Sequence, residues 1–204
     1  FIQPAASDDG QALGKLLYRL HAQFGSPRRR MTDAFLGLEY SKEDGESALS
    51  TIPKTCRVQR FSDPADLLPT VARLLADGRV VAWYEGRAEL GPRALGHRSI
   101  LADPRLPGVR HVLNAGVKHR EFFQPFGLAI IEGRARDLLD IPGASPFMLL
   151  TGRATERARH ETPAAIHEDG SCRVQTVAPD VNGRFYDLIA AFESLTGVPA
   201  LINT

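Results

Sequence analysis

Residues 86–105, GRAELGPRALGHRSILADPR, gather the residue types that hold anions. Gly86, Gly91 and Gly96 stand five apart, Pro92 stiffens the run, and Arg87, Arg93 and Arg98 are interleaved with the glycines. Glycine lets a backbone approach a ligand and present its N–H groups, and arginine adds a forked donor matched to phosphate or carboxylate oxygens. The chemistry this pattern serves is the cradling of a small anion. Neither a Walker A spacing nor a dinucleotide-binding fingerprint is present. His97, in the same run, has a ring suited to orienting a phosphate oxygen or shuttling a proton.

The charge distribution points the same way. From 87 to 120, Arg87, Arg93, Arg98, Arg105, Arg110, Lys118 and Arg120 face only Glu89 and Asp103, an excess of five positive charges. The whole chain of 204 residues has a formal net charge of +1, so the remainder carries −4. Such a local field suits a small anionic ligand better than a long nucleic acid, although solvated surface arginines give the same count. Farther on, His167 and Asp169 lie two apart in an expected short strand and so share a face, a pattern that Arg173 and Gln175 repeat. For His97, His167 and Asp169, ligand contact and loop-stabilising hydrogen bonds both remain open. Asp8 is a lone carboxylate, which caps a helix more readily than it makes a metal site.

Elements must position these groups. Hydrophobic residues at 43% and charged residues at 24% describe a soluble globular chain and exclude disorder, collagen and coiled coil. No apolar run approaches the ~18 residues of a membrane-spanning helix, and no signal peptide opens the chain. Cys56 and Cys172 form no C-x-x-C and no disulfide framework, so neither is given a catalytic role and a cytoplasmic setting is expected. FIQP reads as a strand end, with Ser7, Asp8 and Asp9 as N-cap oxygens for a helix bearing Leu13, Leu16, Leu17 and Leu20. Residues 25–55 read as linker, with Arg28, Arg29 and Arg30 solvated and one weak amphipathic stretch at 34–40. Asp63-Pro64 opens a helix whose buried face is Leu67, Leu68, Val71, Leu74 and Leu75, and Gly78 ends it. Short strands are expected at 80–84 (buried), 128–132, 147–151, 164–167, 173–177 and 200–203. Helices are expected at 107–115, 138–141 and 185–195, and 86–105 is expected to be loop throughout. Strands mixed with helices predict an α/β or mixed α+β layer fold.

The literal sequence carries more than its physics. GRAELGPRALGHRSILADPR resembles the hallmark of the O-carbamoyltransferase family, which includes nodulation-factor and antibiotic-tailoring carbamoyltransferases. LNAGVKHREFFQPF (113–126), PAAIHEDGSCRVQTV (163–177) and FYDLIAAFESLTGVPALINT at the end resemble further blocks in the same order, and FIQPAASDDGQALG resembles the end of that family's N-terminal domain. The resemblance implies residues 1–55 as the tail of an actin/sugar-kinase-like domain with a linker. It implies 56–204 as a YrdC-like domain, a twisted sheet with flanking helices, and makes the chain part of a longer protein.

In such enzymes the YrdC-like domain uses ATP and carbamoyl phosphate to make carbamoyl adenylate. The other domain, with a bound divalent metal (Fe or Mg), passes the carbamoyl group to a hydroxyl of a small-molecule acceptor. The resemblance assigns Arg93, Lys118 and Arg120 to the reacting anions, the last two as the Lys-x-Arg half of a Lys-x-Arg…Ser-x-Asn signature. It assigns Arg87, His97, Arg98, His167, Asp169 and Arg173 to lining the adenylate site, and Asp8 to the metal. Gln124 stands where the family more often has a basic residue, and the chain stops just before the Ser-x-Asn half. Neither membrane nor nucleic acid is an expected partner. A threonylcarbamoyl-adenylate synthase type of enzyme and a non-catalytic nucleotide- or RNA-binding module of the same fold stay open as alternatives.

Overall fold

The computed structural model describes residues 2–204. Phe1, with which the expected first strand begins, lies outside them; Ile2 and Gln3 have no strand pairing, and Pro4 and Ala5 make a turn. A 3-10 turn at Asp8–Gly10 leads into α1 (Gln11–Tyr18), which continues as a π turn through Gln23. No side chain caps this helix: Ser7 hydrogen-bonds Asp9, and Asp8 accepts from the Gln11 amide at 2.7 Å.

Residues 34–40 form no helix. Gly37 N–H donates to Ala88 O at 2.9 Å, Ala88 N–H to Leu38 O at 3.0 Å and Leu90 N–H to Ala34 O at 2.6 Å, so this strap lies along the glycine-rich loop. Inside the expected linker sits α2 (Lys42–Ser50), nucleated by a capping box between Ser41 and Asp44.

The helix α3 (Pro64–Ala76) begins as the sequence predicts, with Asp63 Oδ1 accepting from Ala65 N–H at 2.8 Å. Val71, Ala72 and Leu75 are buried, but Leu74 is 43% exposed because it falls off the 71/75 stripe. After the short helices α4 (Val109–His111), α5 (Ala135–Leu138) and α6 (Glu156–Glu161), the last helix, α7 (Gly183–Thr196), buries Phe185, Leu188, Ile189 and Phe192 at i, i+3, i+4 and i+7, each worth about 1.5–3 kcal/mol of transfer energy. It ends at Gly197, whose φ of 78° needs no Cβ.

These two helices pack on one another and against a seven-stranded mixed sheet, so the fold is mixed α/β. The strands are β1 (Val81–Tyr84), β2 (Arg98–Ala102), β3 (Gly127–Ile131), β4 (Leu139–Asp140), β5 (Leu150–Ala154), β6 (Ser171–Val177) and β7 (Ala200–Asn203), in the order β1-β2-β7-β3-β6-β5-β4. Only β3 and β6 pair in parallel. β3 and β7 lie centrally and are buried at every residue.

Four expectations change here. β1 is an edge strand with only Trp83 buried. The expected loop at 86–105 hides β2, because β2 needs β1 and β7 beside it and has no alternating pattern of its own. Residues 164–167 are mostly a 3-10 turn (Pro163–Ala165), and His167 lies in the turn that follows. The segment expected as a helix at 138–141 is instead the end of α5 (Ala135–Leu138) and all of β4.

Candidate functional site

The loop between β1 and β2 is held from three sides. Glu89 Oε1 accepts three main-chain N–H groups, from Leu95 at 2.8 Å, His97 at 2.9 Å and Arg98 at 3.0 Å. From the sheet and the N-terminus of α7, Gln175 and Asn182 both donate to Leu95 O, at 2.7 and 3.2 Å, and Asn203 donates to Ala94 O at 3.1 Å. From the side, the strap at 34–38 pairs with 88–90. Gly96, at φ 107°, lets the chain pass over α7, since a Cβ there would sit 2.3 Å from the Phe185 ring.

Three of the expected ligand contacts belong to this bracing. Arg98 gives Nη1 to Glu85 O (2.6 Å) and His97 O (2.9 Å), gives Nη2 to Gly86 O (2.9 Å) and Leu38 O (3.4 Å), and lies 3.7 Å above the Tyr84 ring. Exposed Arg87 reaches Leu36 O at 3.3 Å. His97 Nδ1 is 2.7 Å from Arg87 O, and its ring stacks on Phe35 at 3.5 Å.

The other expected cations are brought together and left open. Ser171, Arg173 and Gln175 share one face of β6, while Cys172 and Val174 are wholly buried on the other. Asn203 joins that face by donating to Gln175 Oε1 at 2.8 Å. Between them runs Gly127, opposite Asn203 on β7, and a Cβ there would lie 3.2 Å from the carbonyl of Arg173. Arg93 and Arg120 are close enough to Arg173 to repel it, so Arg173 is pushed below its ordinary basicity by burial first and by these two guanidiniums next. Both Arg93 Nε and Arg173 Nε are buried and, among the described residues, without a hydrogen-bond partner.

Arg120 is aimed from below. Its Nε donates to Asn114 Oδ1 at 2.7 Å and it lies 4.6 Å from the Phe126 ring. Asn114, fully buried, also donates to Phe122 O and Gln124 O at 3.1 and 3.0 Å, which fixes the 120–125 turn. Gln124 thus contributes its main chain to the site. Lys118, at the end of a π turn (Val112–Lys118) and two residues before Arg120, is lowered in pKa by burial and then by Arg120. Among the described residues no carboxylate pairs with Arg93, Lys118, Arg120 or Arg173. Buried donors without partners are costly unless a ligand supplies acceptors, so this cluster is built for an anion.

His167 borders the cluster. Arg110 positions its approach by donating to Ala164 O at 3.2 Å and Ile166 O at 2.6 Å. His167 Nδ1 meets Ser171 Oγ at 3.1 Å, and Ser171 donates to Asp169 Oδ1 from Oγ (2.7 Å) and from its main chain (2.9 Å). Asp169 is therefore a fully exposed turn residue that acts through Ser171. Asp8 is also exposed, and among the described residues no group of three or more His, Cys, Asp or Glu could hold a metal ion. One carboxylate is not by itself a metal site. Cys56 is exposed; Cys172 is buried, which pushes its thiol up to about 12.

A cavity of ≈ 510 Å³ lies beyond Leu95, lined by Met31, Phe35, Phe147, Gln175 and Asn182 among others, and by none of the four open cations. Sequence reasoning missed Glu89, Asn114, Asn182 and Asn203. Glu89 alone had a signal, as one of two acids in a cationic window.

A family model described as carbamoyltransferase C-terminus matches residues 72–204. The chain belongs to this carbamoyltransferase family. Nodulation protein NolNO of Sinorhizobium fredii is 38% identical over 210 residues, covering 100% of this chain and 30% of the relative. For nodulation protein NolO of Bradyrhizobium diazoefficiens the figures are 38% over 210 residues, 100% and 38%. For nodulation protein U of Azorhizobium caulinodans they are 34% over 204 residues, 100% and 34%. The chain thus spans about a third of the length of the curated relatives it matches. All the open cations and His167 fall inside the family match, whereas the strap and Asp8 precede it.

Proposed function

We propose that this chain supplies the carbamoyl-activating site of an ATP-dependent O-carbamoyltransferase, making carbamoyl adenylate for transfer to a hydroxyl of a small-molecule acceptor. The observation that carries the reading is the pair of buried, partnerless Nε–H groups of Arg93 and Arg173 in a cluster whose cations, among the described residues, form no ion pair with a carboxylate. Carbamoyl phosphate and ATP bring several anionic oxygens together. For the adenylate to form, phosphate must leave carbamoyl phosphate with water supplying an oxygen. A carbamate oxygen then bonds to the α-phosphorus of ATP and pyrophosphate departs. Fixed cations that need no reorganisation favour the crowded charge of that step. Arg93, Arg120 and Arg173 offer forks, and Lys118 a point charge. Residues 1–55 as part of a neighbouring acceptor domain, with Asp8 one ligand of a metal there, belong to the same proposal. Replacing Lys118 by Ala in the intact protein should lower carbamoyl-phosphate-dependent pyrophosphate release by about 100-fold or more. Undiminished release would sink the assignment.

A further inference from the structure

We propose that His167 Nε2 accepts a hydrogen bond from the amide N–H of the carbamoyl group, and so distinguishes carbamoyl phosphate from acyl phosphates that lack an N–H. The inference rests on the proposed function and adds to it the residue that reads the transferred group. A site made only of cations binds carbamoyl phosphate and acetyl phosphate alike, because the two present the same oxygens. Telling them apart takes an acceptor.

The proton on His167 is fixed by its neighbours. Ser171 Oγ has one hydrogen and two contacts, Asp169 Oδ1 at 2.7 Å and His167 Nδ1 at 3.1 Å. A carboxylate only accepts, so the Ser171 hydrogen goes to Asp169 and the Ser171 lone pair faces His167 Nδ1, which must carry N–H. In the neutral ring the bare lone pair is then at Nε2. Nε2 is buried and has no partner. Burial, Arg173 and Arg110 disfavour a second proton, outweighing the Phe126 main chain and Asp169.

The surroundings say what should fill that lone pair. Arg93, Lys118, Arg120 and Arg173 are all donors, so a ligand they hold turns oxygens toward them. The amide nitrogen of carbamoyl phosphate is separated from its phosphate by only one carbon and one oxygen, and so can lie beside Arg173 while the phosphate is held. Asn203 Oδ1 is a second buried acceptor without a partner, across Gly127 from Arg173. Its amide also grips Ala94, so the test is placed on His167.

In the intact protein, His167→Phe keeps the ring shape and removes the lone pair, and His167→Gln can return an acceptor near the same place. In a pyrophosphate-release assay, His167→Phe should raise the KM for carbamoyl phosphate roughly tenfold. The inhibition constant of acetyl phosphate and the KM for ATP should stay put, and His167→Gln should recover most of the loss. Parallel weakening of carbamoyl and acetyl phosphate would reduce His167 to a structural part. A rise confined to the KM for ATP would make it a nucleotide contact. Either result, or no change, overturns the inference and leaves the proposed function standing. A wild-type protein with no carbamoyl-phosphate dependence overturns both. Should the Phe variant fail to fold, 15N spectra of wild-type imidazoles decide instead. One Nε2 resonance should move on adding carbamoyl phosphate and not on adding acetyl phosphate, and its absence of movement counts against the inference.

Discussion

Within one loop, Arg98 spends both terminal nitrogens on four main-chain carbonyls and lies over Tyr84, whereas Arg93 keeps a buried Nε without a partner. The same division runs through the wider molecule. Arg87, Arg105 and Arg110 are joined to carbonyls or to Asp103, while Arg173 and Lys118 have no partner side chain. One set of cations builds the loop and the other is presented by it. A guanidinium satisfied by several carbonyls has little left for a ligand; one whose Nε–H is denied both water and a partner has a standing requirement for an acceptor there.

The sharpest way to break that division is to remove one member of each set. Arg93→Ala should cut carbamoyl-phosphate-dependent turnover by about 100- to 1,000-fold with little change in thermal stability. Arg98→Ala should instead cost about 1–3 kcal/mol of stability and affect turnover mainly through loop order. Both would be read by paired calorimetry and steady-state kinetics. Equal losses of turnover at unchanged stability would dissolve the distinction. A smaller effect concerns how the loop is seated. Gly96→Ala puts a methyl group against Phe185 at a positive φ and should destabilise by about 2–4 kcal/mol in urea unfolding.

The least effect is expected from acid. His167 has a folded pKa below its ordinary 6.5, so the unfolded chain takes up the proton more readily. That contribution to stability is present above the ordinary value and is lost as pH falls below about 6.5. Asp169 opposes the shift, and Arg173 and Arg110 reinforce it. The acid slope of unfolding free energy attributable to this group should vanish in His167→Gln.

Much of this was legible in the residues. The helical stripe of α7 is complete in its 185/188/189/192 spacing, and β7 lies at its expected bounds. What failed were features that exist only between segments. Nothing local separates Arg93 from Arg98; their roles depend on carbonyls brought close by the strap and by Glu85. β2 was unreadable because its partners come from either end of the domain, and the buried amides of Asn114, Asn182 and Asn203 resemble any turn residue until their acceptors arrive. The strap at 34–40 has a weakly amphipathic sequence, whereas its main-chain pairing with 88–90 is what places it. The capping box of α2 was in plain view as Ser41 and Asp44, masked by a glycine-containing, polar helix with no buried face.

The two thiols give the molecule an experimental handle. Maleimides react through thiolate, which Cys172 withholds at a pKa of about 12 in a closed core, while Cys56 stands exposed in the turn between α2 and α3. Within this chain, then, the wild-type sequence has a single addressable point for a fluorophore. It sits on the segment leading from the strap into the sheet and its helices, where movement of one against the other would be visible as a change in emission.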